Sequence, residues 1–142
     1  MGDEFNAGKF GAIIPLVFGV ANAATNQTNT DLTGAGADAN TVHKMPKAGS
    51  VVGISVGGSA AVSAGTATFR AHKDGTEFAQ SGYPAPVLNA TNSGASYATI
   101  RPGVLTFSAG DGLGVSYSSS TDMAPTNTND YSAVLWVQLD PD

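Results

Sequence analysis

The sequence predicts an all-β protein, an antiparallel two-sheet sandwich of jelly-roll type with about eight strands and an extended N-terminal arm. Three observations carry the prediction. The vocabulary is small and glycine-rich, with 18 glycines in 142 residues, 12% charged residues and only two glutamates, Glu4 and Glu77. Helix surfaces draw instead on Glu, Lys, Leu and Gln. Short apolar runs recur between turn residues at the spacing of a sandwich. No window of about 11 residues holds a 3.6-residue apolar period without Gly or Pro intervening.

The first candidate strand is the apolar run Phe10 to Val20. With Ala21-Asn22-Ala23-Ala24 behind it, the run imitates a signal peptide, but Asp3 and Glu4 against Lys9 make its flank acidic rather than basic. At about 11 residues it is shorter than the roughly 20 that a membrane span needs. It reads as a buried strand interrupted by Pro15, which suits an edge or a bulge. Residues 1–21 are thus an arm and first strand, 22–41 a polar loop, and 42–142 the body of a single domain.

In the body, Val51–Val56 reads as a strand ended by Gly57-Gly58, and Thr66–Lys73 as another that turns at Asp74-Gly75, a strong hairpin signal, with Glu77–Ala79 as its return. Pro86–Asn89, Tyr97–Ile100, Val104–Phe107 and Leu113–Tyr117 follow. The last run, Ser132–Leu139, points Val134, Trp136 and Gln138 one way and Ala133, Leu135, Val137 and Leu139 the other. Apolar on both faces, it belongs at the centre of a sheet or at a subunit interface.

Composition narrows the chemistry. The net charge is −5, and the six Lys and Arg residues are scattered, so nucleic acid is not an expected partner. Nor is a membrane. Without cysteine there is no disulfide or thiolate chemistry. Gly53-Ile54-Ser55-Val56-Gly57 matches the G-x-S-x-G elbow of hydrolases, but no helix pattern follows it, so Ser55 reads as a strand serine. Gly34 to Ala39 matches a dinucleotide fingerprint, yet a polar Asn-rich run precedes it, and it reads as loop. His43 and His72, the only histidines, each precede a lysine and read as exposed. The oxygen-rich segments around Asp111, Asp122 and Thr126–Asp130 suit calcium in principle and Asx turns more simply. No catalytic group, metal ligand or cofactor is expected.

The order Pro46-Lys47-Ala48-Gly49-Ser50-Val51-Val52-Gly53-Ile54-Ser55, then Ser63-Ala64-Gly65-Thr66-Ala67-Thr68-Phe69 with a Lys73-Asp74-Gly75 turn, then Phe107-Ser108-Ala109-Gly110-Asp111-Gly112-Leu113-Gly114-Val115 and a closing aromatic strand, resembles small β-sandwich proteins of tailed-bacteriophage virions. These are head decoration proteins and the capsid-bound parts of head fibres, many of them trimeric jelly rolls shaped like tumour-necrosis-factor domains. The resemblance spans about two-thirds of the chain and is one of fold. It implies a non-enzymatic virion protein on the capsid exterior, assembled in the host cytoplasm, whose partners are copies of itself, as a homotrimer, and the major capsid protein.

On that reading Phe5, Phe10, Ile13, Ile14, Leu16 and Phe18 are partner contacts, the Phe10 to Val20 run pairing with the sheet edge of an adjacent subunit. Tyr131 and Trp136 hold the oligomer together. The alternative is a carbohydrate- or receptor-binding module that stacks sugar on Trp136, Tyr83, Tyr97 or Tyr117.

Overall fold

The computed structural model describes residues 11–28, 30–34, 43–78, 83–92 and 94–141. Among these the chain forms β1 (Ile13–Val20), β2 (Thr30–Asp31), β3 (Thr33–Gly34), β4 (His43–Lys44), β5 (Gly49–Gly58), β6 (Thr66–Lys73), β7 (Thr76–Glu77), β8 (Val87–Asn89), β9 (Ala95–Thr99), β10 (Leu105–Phe107), β11 (Gly112–Ser119) and β12 (Tyr131–Leu139). All pairings are antiparallel. One sheet runs β10-β5-β12-β1-β3 with β9 also on β5; the other runs β2-β11-β6-β7 with β4 also on β11 and β8 on β6. The protein is all-β, a two-sheet sandwich, and the chain changes sheet at every step from β1 to β6 and again between β8 and β9, β10 and β11, and β11 and β12.

Strand β12 lies between β1 and β5 and pairs with both over its whole length. Its alternate residues Tyr131, Ala133, Leu135 and Val137 are buried, with Leu135 and Val137 at 0% exposure. They meet Leu16 and Phe18 of β1, Val51 and Ile54 of β5, and Phe69, Leu113 and Val115 from the facing sheet in one core. Between Trp136 and Val137 the register with β5 shifts, leaving Val52 as the extra residue of a bulge.

Three rings tie the sheets together. Tyr131 of the first sheet meets Phe69 and Tyr117 of the second edge-to-face, at centroid distances of 5.5 and 5.6 Å. Each buried phenol has a partner: the Ala24 N–H donates to the Tyr117 oxygen, and the Tyr131 hydroxyl donates to the Met123 sulfur. Burial, and next the neighbouring Tyr117, push the Tyr131 pKa up to about 12.

Two expectations change. The first strand has a partner within the chain: β1 pairs with β12 from Ile13↔Gln138 to Val20↔Tyr131. Pro15 is tolerated because β3 covers only Phe18 and Gly19, so the Ile13–Val17 stretch forms the sheet edge among the described residues. The described part of the polar stretch 22–41 is built into the sandwich rather than looping free. Leu32 and Ala23 are buried, and their N–H groups donate to Val115 and Asn129 carbonyls at 2.8 Å. Backbone ladders and two small apolar anchors suffice there, and neither leaves a periodic signal.

The Asp74-Gly75 hairpin forms as expected, with φ of +50° and +82°, and the Asp74 carboxylate accepts the Gly112 N–H at 2.8 Å. In the Thr126–Asp130 run, Asn129 turns inward. Fully buried, its Oδ1 accepts the Ala60 N–H and the Ser59 hydroxyl while its Nδ2 donates to the Ala60 carbonyl. Replacing Asn129 with Ala strands these buried groups. Urea denaturation of Asn129→Ala is expected to show a loss of about 1–3 kcal/mol, and an unchanged midpoint would contradict the role.

Candidate functional site

The outward face of the first sheet is built by alternation. If Leu16 and Phe18 point into the core, Ile13, Pro15 and Val17 must point out. The registers then line up two rows across the sheet: Val17, Val134, Ser55 and Tyr97 in one, and Pro15, Trp136, Gly53 and Thr99 in the next. No member of either row is charged. The large hydrophobic side chains exposed among the described residues are Tyr97 (76%), Ile13 (59%), Val17 (53%) and Trp136 (37%), and all four lie on this face.

Trp136 is held flat on it. Its Nε1 donates to the Ser55 hydroxyl at 2.8 Å, so the indole reaches across β5, and a Cβ on Gly53 would stand 3.6 Å from the indole Cδ1 and 3.3 Å from the Ala98 carbonyl oxygen. The G-x-S-x-G pattern acquires a structural meaning here. Gly53, Ser55 and Gly57 alternate along β5 and share its outer face. Gly53 is the low floor on which Trp136 lies, and Ser55 is the acceptor that orients it.

The outer face of the second sheet differs in character. Arg70 pairs with Glu77 at 3.1 Å, and Lys44 stands 3.8 Å from Asp74. His72, expected to be exposed, is buried at 5% exposure, with Nε2 2.6 Å from the Ser116 hydroxyl and Nδ1 without a hydrogen-bond partner. Desolvation lowers its pKa below 6.5, against the opposing pull of Asp31, Glu77 and the Gly75 carbonyl. The Ser116 hydroxyl thus partners one of the two ring nitrogens, Nε2. His43 is half-buried and packs edge-to-face on Phe18 at 5.1 Å.

Of the contacts expected from sequence, Ile13 and Trp136 stand on the apolar face. Ile14 faces the core side and is half-buried. Leu16, Phe18 and Tyr131 are buried inside this chain and unavailable to a partner, a correction that follows from the same two-residue alternation. Phe5 and Phe10 lie outside the described residues. Val17, Val134 and Tyr97 were missed as members of this face. Counting outward by twos from Trp136 finds Val134, and counting from Ile13 finds Val17, but Tyr97 joins them only through the β5–β9 pairing.

No family model matches the sequence, and no curated protein does. In structure, the chain is similar to one from the cyanophage Pam1 capsid asymmetric unit, with a TM-score of 0.50 and 12% identity over 92% of this chain and 86% of that one. The likeness is one of fold. It covers the sandwich as a whole, both sheets included, rather than a local motif.

The buried imidazole generates a pH dependence whose sign follows from its lowered pKa. Unfolded, His72 takes a proton near pH 6.5; folded, it stays neutral to lower pH. Its neutral burial therefore stabilises the fold fully above about pH 6.5, and that stability is lost as pH falls from there towards the lower folded value. Denaturation midpoints measured from about pH 8 down to about pH 5 are expected to decline, and His72→Gln to flatten that decline. An equal slope in both proteins would contradict it.

Proposed function

We propose that the protein is a non-enzymatic structural component of a tailed-phage virion, a decoration protein that joins as a homotrimer and binds the major capsid protein on the outside of the shell. The observation that carries the reading is the uncharged outer face of the first sheet. Monomeric proteins rarely leave contiguous apolar patches exposed, and aromatic residues such as Trp136 and Tyr97 concentrate binding energy when a partner desolvates them. The fold likeness to a chain of a cyanophage capsid asymmetric unit adds support. So does the passage of the chain from sheet to sheet, which suits a jelly-roll winding.

The energetics suit an assembly. Each contact on such a face contributes modestly, but a closed symmetric oligomer engages the patch on every copy at once. Trp136 needs little reorganisation to bind, because Ser55 already holds its indole in place. A charge placed on the face must instead be buried without a partner.

Light scattering at micromolar concentration is expected to give three times the chain mass. Tyr97→Lys and Val17→Lys are expected to give folded monomers that no longer co-sediment with purified capsid shells. A wild-type monomer that binds no shell would overturn the reading. A second reading rests on the same aromatic pair: Tyr117 is buried and Tyr83 half-buried, which leaves Trp136 and Tyr97 as the exposed rings on which a sugar could stack. Glycan binding by the wild type that Tyr97→Ala abolishes would favour it.

A further inference from the structure

The edges of the first sheet are protected unequally. The Leu139 N–H donates to the Ala12 carbonyl at 2.8 Å, which fixes the phase of the β1–β12 ladder. Ile14, Leu16 and Phe18 bond to β12, and Ile13, Pro15 and Val17 turn their backbone groups to the other side. Pro15 has no N–H to offer there, and His43 Nε2 stands 3.5 Å from the Val17 carbonyl oxygen. On the opposite flank, the Lys73 ammonium donates to the Thr106 carbonyl of β10 at 3.4 Å. Proline and lysine both blunt strand edges.

Strand β9, beside β10 on the same flank of β5, has neither device. Ala95–Thr99 contains no proline and no charged residue. The Gly58 N–H donates to the Gly94 carbonyl at 2.8 Å and the Ile100 N–H to the Val52 carbonyl at 3.0 Å. In that phase Ser96 and Ala98 bond to β5, while Ala95, Tyr97 and Thr99 turn their backbone groups away from it. Among the described residues no strand pairs with that side. The Ala95 N–H folds back onto the Asn92 carbonyl at 3.1 Å, so the edge presents the Ala95 carbonyl and both backbone groups of Tyr97 and of Thr99.

We propose that β9 docks on β9 of a second copy of this chain, the two strands running antiparallel about a two-fold axis at Tyr97. The edge is self-complementary. Tyr97 exchanges both backbone hydrogen bonds with the partner's Tyr97, and each Thr99 N–H donates to the Ala95 carbonyl of the other copy. No charge on either strand opposes the pairing. The outward row Val17, Val134, Ser55 and Tyr97 then runs on into the same row of the partner, with the two tyrosine rings neighbours on one face. This two-fold contact goes beyond the three-fold assembly proposed above and does not rest on it, because the edge belongs to each single chain.

The chain contains no cysteine, so one introduced thiol can be oxidised only against its own copy. Directly opposite residues of a hydrogen-bonded pair lie about 5.5 Å apart at Cα, within the span of a disulfide. Tyr97→Cys is expected to give a disulfide-linked dimer on a non-reducing denaturing gel, which reads this contact whether or not a trimer exists. Thr99→Cys, also exposed, is expected to give none, because its copy lies four positions along the ladder, roughly 14 Å away. Adding Thr99→Pro removes an outward N–H but no bond of the β5–β9 ladder. It is expected to cut the Tyr97→Cys dimer yield about tenfold while circular dichroism stays native. Absence of the Tyr97→Cys dimer, an equal yield from Thr99→Cys, or a yield unmoved by Thr99→Pro would each overturn the proposal. So would a Tyr97→Cys thiol that stays free alone and is shielded from maleimide by purified capsid shells, which assigns the edge to a shell protein.

Discussion

The double pairing of β12 is the constraint on which the rest of the structure depends. Tyr131–Leu139 carries apolar residues on both faces, and only the inner set is buried. Its position between β1 and β5 satisfies the backbone on each side and divides the side chains cleanly. Tyr131, Ala133, Leu135 and Val137 supply the centre of the core. Val134 and Trp136, forced outward by the same pleat, bring apolar surface to a sheet face that carries no charge in the rows around them. The core and the exposed apolar face are two consequences of one alternation, and a one-residue slip would exchange them.

The two outer faces therefore have different physical characters. The first sheet offers a nearly flat surface of small residues, with Trp136 laid over Gly53 and Tyr97 projecting beside it, which suits desolvation against another protein. The second sheet carries paired charges, Arg70 with Glu77 and Lys44 near Asp74, together with a histidine whose Nε2 partners a serine hydroxyl. Such a face keeps its water readily.

Much of the fold was legible because strand signals are local. The Asp74-Gly75 turn, the β6 run and the two-faced character of β12 follow from residue type and a period of two. The short β2, β3 and β4 were not legible, since their residues are polar or small and they exist only because β11 and β1 offer edges to pair with. Asn129 was read as a turn residue because nothing local announces that its amide will close the Ser59–Ala60 loop. The exposed apolar face was half legible: Ile13 and Trp136, which stand on it, could be named, but Leu16, Phe18 and Tyr131, which are buried, were misjudged by treating a run of apolar residues as a single surface. Tyr97 reaches its neighbours through a pairing some 40 residues apart in sequence, and no window of local pattern contains that information.

Trp136 is the chain's only tryptophan, so its emission reports directly on the central claim that this face is covered by another protein surface. Fluorescence and acrylamide quenching should be followed as the protein is concentrated from about nanomolar to about micromolar, the range over which moderate interfaces form. The account predicts a blue shift and falling quencher access as the oligomer assembles. Emission and quenching that stay constant across the whole range, with Trp136 still open to the quencher, would contradict it.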